Sequence, residues 1–279
     1  MANRPAAGIL PANHVMPMNQ DTRDALALRL AQIACEAGGV VMADDRRSTL
    51  KPDGSPVTMA DKNAERVIRK RLHELDPNLV VIAEESFSGG PTRAPSRFVL
   101  VDPLDGTREF VAGRDEFAVN IALIEDGTPI AAAVYAPGCE TLYVAGTRAL
   151  RIEVAPGGTI DRAGAQPLAT RARPIDGPDA VISRSHLDTA TQERLHQLNV
   201  RNSRALGSSL KFCLIAEGAA DVYPRLAPTM EWDTAAGHAV LLAAGGCVLG
   251  PDRKPLRYGK PGFRNTSFEA WGRAPPAGT

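Results

Sequence analysis

The run Val101-Asp102-Pro103-Leu104-Asp105-Gly106-Thr107 places two carboxylates three residues apart on a turn kinked by proline and glycine. The apolar stretch Phe98-Val99-Leu100-Val101 leading into it reads as a buried strand. A strand end holds charge rigidly, and the turn lets both carboxylates and the Leu104 carbonyl converge on one point. Hard divalent cations such as Mg2+ take oxygen ligands, commonly one or two carboxylates plus a substrate phosphate. A surface turn is the competing reading, because Asp, Pro and Gly are all turn formers. Other acidic residues weigh on the choice. Glu84 and Glu85 end the apolar stretch 79–83, and Asp233 follows Trp232 where a helical pattern begins. Singly, Glu84 or Glu85 reads as a solvated charge and Asp233 as a helix N-cap. Jointly, carboxylates at the ends of successive elements read better as one metal site. An EF-hand does not fit, since the third and fifth positions from Asp102 are Leu104 and Gly106.

The elements that must position these groups follow from periodicity and punctuation. Leu26, Leu30, Ile33, Ala34, Ala37 and Val41 have helical spacing and predict a helix over 21–43, with Asp21 or Thr22 near its start. A loop at 51–56, a helix over 61–75, a strand over 79–83 and an exposed loop over 88–96 come next. Strands over 118–124 and 130–135 flank Glu125-Asp126-Gly127-Thr128-Pro129, a hairpin signal. Strands over 141–145 and 149–154 form another pair. The segment 155–178 is rich in Pro, Gly, Ala and Arg and marks a boundary. Beyond it come a strand (179–183), a helix (188–198), a helix (208–216) closed by Gly218, a strand (221–223) and a helix (233–244) stopped at Gly245. The part 21–154 therefore reads as α+β with antiparallel strands, and 179–272 as α/β. Residues 1–20 read as a disordered leader, with Met18 an alternative start, and 273–279 as a loose tail.

Composition narrows the function. The chain has 279 residues, 44% of them hydrophobic, enough for one large domain or two sharing a core. Lys plus Arg and Asp plus Glu each number 32, so there is no basic footprint of a nucleic-acid binder. Cys35, Cys139, Cys213 and Cys247 are far apart, with no C-x-x-C pair. Their apolar neighbours make them buried small hydrophobes, a pattern suited to a reducing cytosol. No apolar run is long enough to span a bilayer, and the first twenty residues, broken by Pro5, Pro11 and Pro17, are not a secretory signal.

Four blocks carry a resemblance. Gly54-Ser55-Pro56-Val57-Thr58-Met59-Ala60-Asp61, Glu84-Glu85, Asp102-Pro103-Leu104-Asp105-Gly106-Thr107 and Trp232-Asp233 occur in that order. In this they resemble the lithium-sensitive, magnesium-dependent phosphomonoesterases, the superfamily of inositol monophosphatase and fructose-1,6-bisphosphatase. Ser183-Arg184-Ser185-His186, Gly207-Ser208-Ser209-Leu210-Lys211-Phe212-Cys213 and Tyr223-Pro224-Arg225 are most similar to the bacterial 3′(2′),5′-bisphosphate nucleotidase branch. The resemblance implies a layered α/β/α/β/α sandwich with the active site between its halves. It implies cleavage of adenosine 3′,5′-bisphosphate to AMP and phosphate, in sulfur assimilation and nucleotide recycling. In some members 3′-phosphoadenylyl sulfate is also used.

The resemblance also implies the roles. Glu84, Asp102 and the Leu104 carbonyl would hold one Mg2+, and Asp102, Asp105 and Asp233 a second. Glu85 would hold a third, weaker ion through water. Two cations would generate the nucleophile and stabilise the leaving oxygen. Thr107 and Asp61 match the family's water-orienting pair, and Gly106 and Thr107 offer backbone N–H groups to phosphate oxygens. Lys51 stands near the metal site. Ser208 and Lys211, three apart at a helix start and hence on one face, would bind the second phosphate with the planar fork of Arg225. Ser183, Arg184 and His186 would reach base or ribose. Trp232 is expected to pack beneath Asp233, and His73 and His238 to sit on helix faces. Arg108 stands where the nearest relatives often carry Lys. Relatives are monomers or homodimers, and some bacterial ones sit peripherally on the inner membrane face. This chain shows no amphipathic basic helix of the kind that requires. The same-chemistry rival is an inositol monophosphatase or fructose-1,6-bisphosphatase. A non-catalytic nucleotide or metal sensor is disfavoured because every implied ligand is present.

Overall fold

The computed structural model describes residues 18–89, 94–185, 187–273 and 275. The expected leader up to residue 17, residues 90–93 of the expected loop and most of the expected tail lie outside them. Two helices form one outer layer, α1 (Gln20–Met42) and α2 (Met59–Leu75). Asp21 and Thr22 lie in the first turn of α1, as expected, and Asn19 caps it, accepting from the Thr22 N–H at 2.8 Å. Helix α1 lies so close to the sheet below that a Cβ on Gly38 would stand 2.3 Å from the Tyr135 ring. By length and composition α1 passes as a membrane span, contrary to the sequence expectation. Half of its most apolar stretch is buried inside the protein, so its hydrophobicity serves the core. Helix α2 starts two residues earlier than expected because Thr58 and Asp61 form a capping box. The hairpin of β1 (Ser48–Leu50) and β2 (Pro56–Thr58) flanks the loop anticipated at 51–56.

The large sheet has seven strands in chain order: β3 (Val81–Ala83), β4 (Arg97–Asp105), β5 (Ala118–Glu125), β6 (Thr128–Ala136), β7 (Thr141–Ala145), β8 (Ala149–Glu153) and β9 (Gln166–Pro167). Only β3 and β4 pair parallel. The expected hairpin joins β5 and β6, with Asp126 and Gly127 at φ 46° and 73°, as the twist of a two-residue turn demands. A short helix, α3 (Thr107–Val111), separates β4 from β5.

The second sheet is built from β10 (Asp179–Ser183), β11 (Asn202–Leu206), β12 (Val222–Arg225), β14 (Cys247–Leu249) and β16 (Phe268–Trp271). Its spatial order is β11-β10-β12-β16-β14. Strand β10 pairs parallel with β11 and β12, but β16 is antiparallel to both its neighbours, so this half is mixed rather than purely α/β. A separate ribbon pairs β13 (Thr229–Met230) with β15 (Arg264–Asn265). Helix α4 (Thr189–Gln197) packs on the outer face, while α5 (Leu210–Ala216) and α6 (Ala235–Ala243) lie between the sheets. The layers thus run α1/α2, large sheet, α5/α6, small sheet, α4, which is the α/β/α/β/α sandwich the resemblance implies.

Two boundaries differ in ways that matter. Helix α5 begins at Leu210, and Ser208 precedes it in a left-handed conformation (φ 50°), so Ser208 and Lys211 do not share a helix face. Helix α6 begins after its N-cap Thr234, so Asp233 is not the cap. Cys35 and Cys213 are buried and Cys247 is half-buried, but Cys139 is exposed, against expectation.

Candidate active site

The acidic motif owes its geometry to a bulge. Asp102 of β4 lies opposite Asn120 of β5, but Asp105 lies opposite Ala118, so three steps along one strand match two along the other. Residues i and i+3 of a regular strand point to opposite faces; the extra residue brings both carboxylates to one side. Pro103 sits in the irregular stretch, where it has no N–H to strand. The Leu104 N–H donates to Asp102 Oδ1 at 3.0 Å. Gly106 then turns the chain at φ 95°, where a Cβ would stand 3.1 Å from the Glu116 carbonyl oxygen.

Carboxylate oxygens of Glu84, Asp102 and Asp233 all lie within 4.8 Å of one another. Glu84 is delivered by the turn after β3, its N–H bonded to the Val101 carbonyl at 3.2 Å. Asp233 is fixed by the Met230 N–H, 2.8 Å from its Oδ2. Asp105 borders the same cavity but stands outside this trio, its Oδ2 accepting from Ser209 N and from Asn120 Nδ2. Burial, reinforced by the charges of Glu84, Asp105 and Asp233, pushes the Asp102 carboxyl well above its ordinary range. Burial and the charges of Asp105 and Glu84 do the same to Asp233, and burial lifts Asp105 to about 6 against the pull of Lys211. Mutually repelling carboxylates withdrawn from water are the donor set of a hard divalent cation, so the residues fit Mg2+. Lys51 Nζ bonds Glu84 Oε1 at 2.7 Å and Glu85 Oε1 at 2.6 Å. Burial alone would lower its pKa, but the two carboxylates hold it above the usual lysine value. Glu85 is anchored through its N–H to Glu65 at 2.7 Å and shares the Lys51 ammonium with Glu84, but it is not one of the trio.

Thr107 joins this cluster to α2. Its hydroxyl lies 3.0 Å from Asp61 Oδ1 and 3.1 Å from the Leu104 carbonyl oxygen. The other oxygen of Asp61 accepts from Thr58 N at 2.8 Å and Thr58 Oγ1 at 2.6 Å. The capping box that starts α2 therefore also aims Asp61 at Thr107.

The expected nucleotide contacts divide. Ser183, Ser208, Lys211 and Arg225 border the cavity of about 420 Å3 that holds the trio, together with Leu104, Gly106 and Thr107. Lys211 is buried, and its ammonium donates to the carbonyls of Leu206 and Ser208. Burial lowers its pKa to about 8. Arg225 is buried too, donating to the carbonyls of Ala227 (3.2 Å) and Pro228 (3.4 Å). Arg184 is not at the cavity: it grips Glu116 with two bonds of 2.9 and 2.7 Å and the Ala205 carbonyl with a third. His186 lies outside the described residues. Trp232 is largely buried beside Asp233, edge-on to Phe87 at 5.2 Å, and also borders the cavity. Sequence reasoning missed Ser185, Thr229, Met230 and Arg264 as cavity residues. Ser185 lay within a motif already singled out; the other three sit on two-residue strands that leave no periodic signal.

The model of the inositol monophosphatase family matches residues 19–274. The chain is 43% identical over 249 residues to the 3′(2′),5′-bisphosphate nucleotidase CysQ of Escherichia coli K12, which spans 85% of this chain and 97% of that protein. It is 31% identical over 220 residues to the protein of the same name from Haemophilus influenzae, covering 75% and 77% of the two chains. Among solved structures, CysQ from Bacteroides thetaiotaomicron superposes with a TM-score of 0.75 at 36% identity, covering 89% of this chain and 97% of that one. An inositol monophosphatase from Anabaena, at 24% identity and a TM-score of 0.70 over 90% and 91% of the two chains, shares the fold. With the family's model spanning nearly every described residue and its acidic blocks converging on one cavity, this chain belongs to the inositol monophosphatase family.

Proposed function

We propose that the chain is a magnesium-dependent 3′(2′),5′-bisphosphate nucleotidase that hydrolyses adenosine 3′,5′-bisphosphate to AMP and phosphate. The observation that carries the chemistry is the Glu84, Asp102 and Asp233 trio beside the Thr107–Asp61 pair in one cavity. The substrate class rests on the 43% identity to a bisphosphate nucleotidase. Glu84, Asp102 and the Leu104 carbonyl would hold one ion, and Asp102, Asp233 and Asp105 a second. A third ion at Glu85 requires Lys51 to release that carboxylate. When bound, Mg2+ would neutralise negative charge on the phosphoryl and leaving oxygens and lower the pKa of bound water.

The protein's own groups orient the reaction. Thr107 donates its hydroxyl hydrogen bond to Asp61, which Thr58 holds in place, and so turns its lone pairs toward the cavity to accept a hydrogen bond from the attacking water. Gly106 and Thr107 border the cavity and present backbone N–H groups to phosphoryl oxygens. Ser183 and Ser208 offer hydroxyls to the ribose side. Arg225 and Lys211 border the cavity and contribute positive charge to it, while some of their donors hold backbone carbonyls. The same site would accept 3′-phosphoadenylyl sulfate, which carries the same 3′-phosphate.

Phosphate release from adenosine 3′,5′-bisphosphate, inositol 1-phosphate and fructose 1,6-bisphosphate, each with and without Mg2+, tests this reading. Release should require Mg2+ and be fastest, by kcat/KM, from the nucleotide. Equal or faster release from a sugar phosphate would retain the metal chemistry and overturn the substrate class.

A further inference from the structure

Four cationic side chains border the cavity: Arg108, Lys211, Arg225 and Arg264. Lys211 and Arg225 are buried and spend donors on backbone carbonyls. Arg108 follows Thr107 and so stands on the side of the phosphate to be cleaved. Arg264 borders the cavity from β15. It is exposed at the lip, and among the described residues its side chain makes no hydrogen bond and no ion pair.

The backbone explains how Arg264 comes to border the cavity. Its strand pairs Arg264 with Met230, whose N–H secures Asp233. Adjacent strand residues face opposite ways. The next residue, Asn265, turns into the protein and donates from Nδ2 to the Met230 carbonyl at 2.9 Å and to Thr234 Oγ1 at 2.9 Å. Arg264 is thereby directed to the cavity. The approach to this strand is clamped by Glu231, which is fully buried. Its carboxylate accepts from Gly259 N (2.7 Å), Lys260 N (3.0 Å) and Lys260 Nζ (2.6 Å), and its N–H donates to the Phe263 carbonyl. Phe263 accepts a left-handed φ of 52° while its ring packs on Phe87 and Phe98. The arch fixes the backbone from which the Arg264 side chain reaches the cavity, while the guanidinium itself stays free to meet a ligand.

We propose that Arg264 is a specificity-determining residue whose guanidinium takes the phosphate that is not cleaved, which rests on the bisphosphate nucleotidase reading. The planar fork of an arginine matches two phosphate oxygens at once, and this one has no protein acceptor among the described residues to compete for it. A substrate lacking the second phosphate gains nothing from it.

The test compares kcat/KM of the wild type, Arg264→Gln and Arg264→Lys on adenosine 3′,5′-bisphosphate and on adenosine 3′-monophosphate, at saturating Mg2+. Inhibition by AMP, which keeps the 5′-phosphate, is measured alongside. Arg264→Gln should lose roughly 10- to 100-fold on the bisphosphate, the range of a charge-assisted hydrogen bond, and change less than about threefold on the monophosphate. AMP inhibition should weaken in parallel, and Arg264→Lys should recover part of the loss. The preserved monophosphate rate is the control for folding. A wild type that prefers the bisphosphate beside an Arg264→Gln that keeps that preference overturns the assignment of Arg264 alone. Equal losses on both substrates overturn it as well, since the residue would then serve the reacting phosphate. A wild type with no preference for the bisphosphate overturns the nucleotidase reading and this inference with it.

Discussion

At the scale of single residues, the site turns on where protons are allowed to sit. Thr107 has one hydroxyl proton and two acceptors within 3.1 Å, and Asp61 is the charged one. A charge-assisted bond is the stronger, so the proton points to Asp61 and the lone pairs to the cavity. Behind the site, the buried His238 meets the Tyr258 hydroxyl at 2.9 Å, and Tyr258 donates on to Thr234. Burial, with a smaller push from the charge of Lys260, lowers the His238 pKa to about 3. Above pH 6.5 the imidazole is neutral in both folded and unfolded chains. As pH falls from 6.5 toward 3, the unfolded chain binds a proton that the folded one refuses. Stability is therefore lost on acidification, at up to about 1.4 kcal/mol per pH unit from this group. His238→Gln, which keeps an N–H for Tyr258, should flatten the melting temperature against pH between 6.5 and 4 relative to the wild type. Identical slopes would mean that the imidazole titrates as it does in water.

Among the elements, irregular ones do most of the positioning. The bulge in β4 aims two carboxylates to one side, and the arch from Gly259 to Asn265 presents Arg264 while bracing the turn of Asp233. Glu231 holds the arch. Glu231→Gln keeps an acceptor for Gly259 but sets a buried amide donor against the Lys260 N–H or ammonium. A buried mismatch of that kind costs about 1–3 kcal/mol. A melting temperature lower by several degrees is expected, at roughly 2–4 °C per kcal/mol. The preference for bisphosphate over monophosphate should shrink with it. An unchanged melt would show that the arch stands without its carboxylate. Sequence reading served the long elements better than these. The helices α1 and α2 and the β5–β6 hairpin were legible because many residues repeat one period or carry a specific turn. Strands β11, β13, β14, β15 and β16 were not, having two to five residues each and little alternation.

For the whole molecule, the cavity lies where the layers meet. Glu84 and Asp102 come from the large sheet, while Asp233 comes from the turn that enters α6. A cation held by all three ties these parts together, so metal binding should be read in global stability. Mg2+ at 100 times its dissociation constant would add about 2.7 kcal/mol. Chelation should lower the melting temperature and abolish phosphate release, and excess Mg2+ should restore both. The sign with pH also follows. In the metal-free protein the Asp105 carboxyl, lifted to about 6 by burial, supports folding while protonated and loses that contribution as pH rises from about 4 through 6. The gain in melting temperature on adding Mg2+ should therefore be larger at pH 7 than at pH 5. A melt indifferent to Mg2+ at both values would contradict the trio as a metal site.

By itself, the order of residues determined the chemistry on offer. Asp102, Asp105, Glu84, Asp233, Thr107 and Asp61 were legible because donor type and chain order survive any folding, and four ordered blocks rarely coincide by chance. Tertiary structure decided which of those groups are available. Lys211, Arg225 and Arg184 look alike in sequence as phosphate-binding cations, yet each is engaged by a carbonyl or carboxylate far from it or close by in the fold. Arg264, from a two-residue strand without a pattern, borders the cavity and, like Arg108, makes no side-chain hydrogen bond or ion pair among the described residues. A cation's charge is written in the chain, but the partner that consumes or spares it is set by packing.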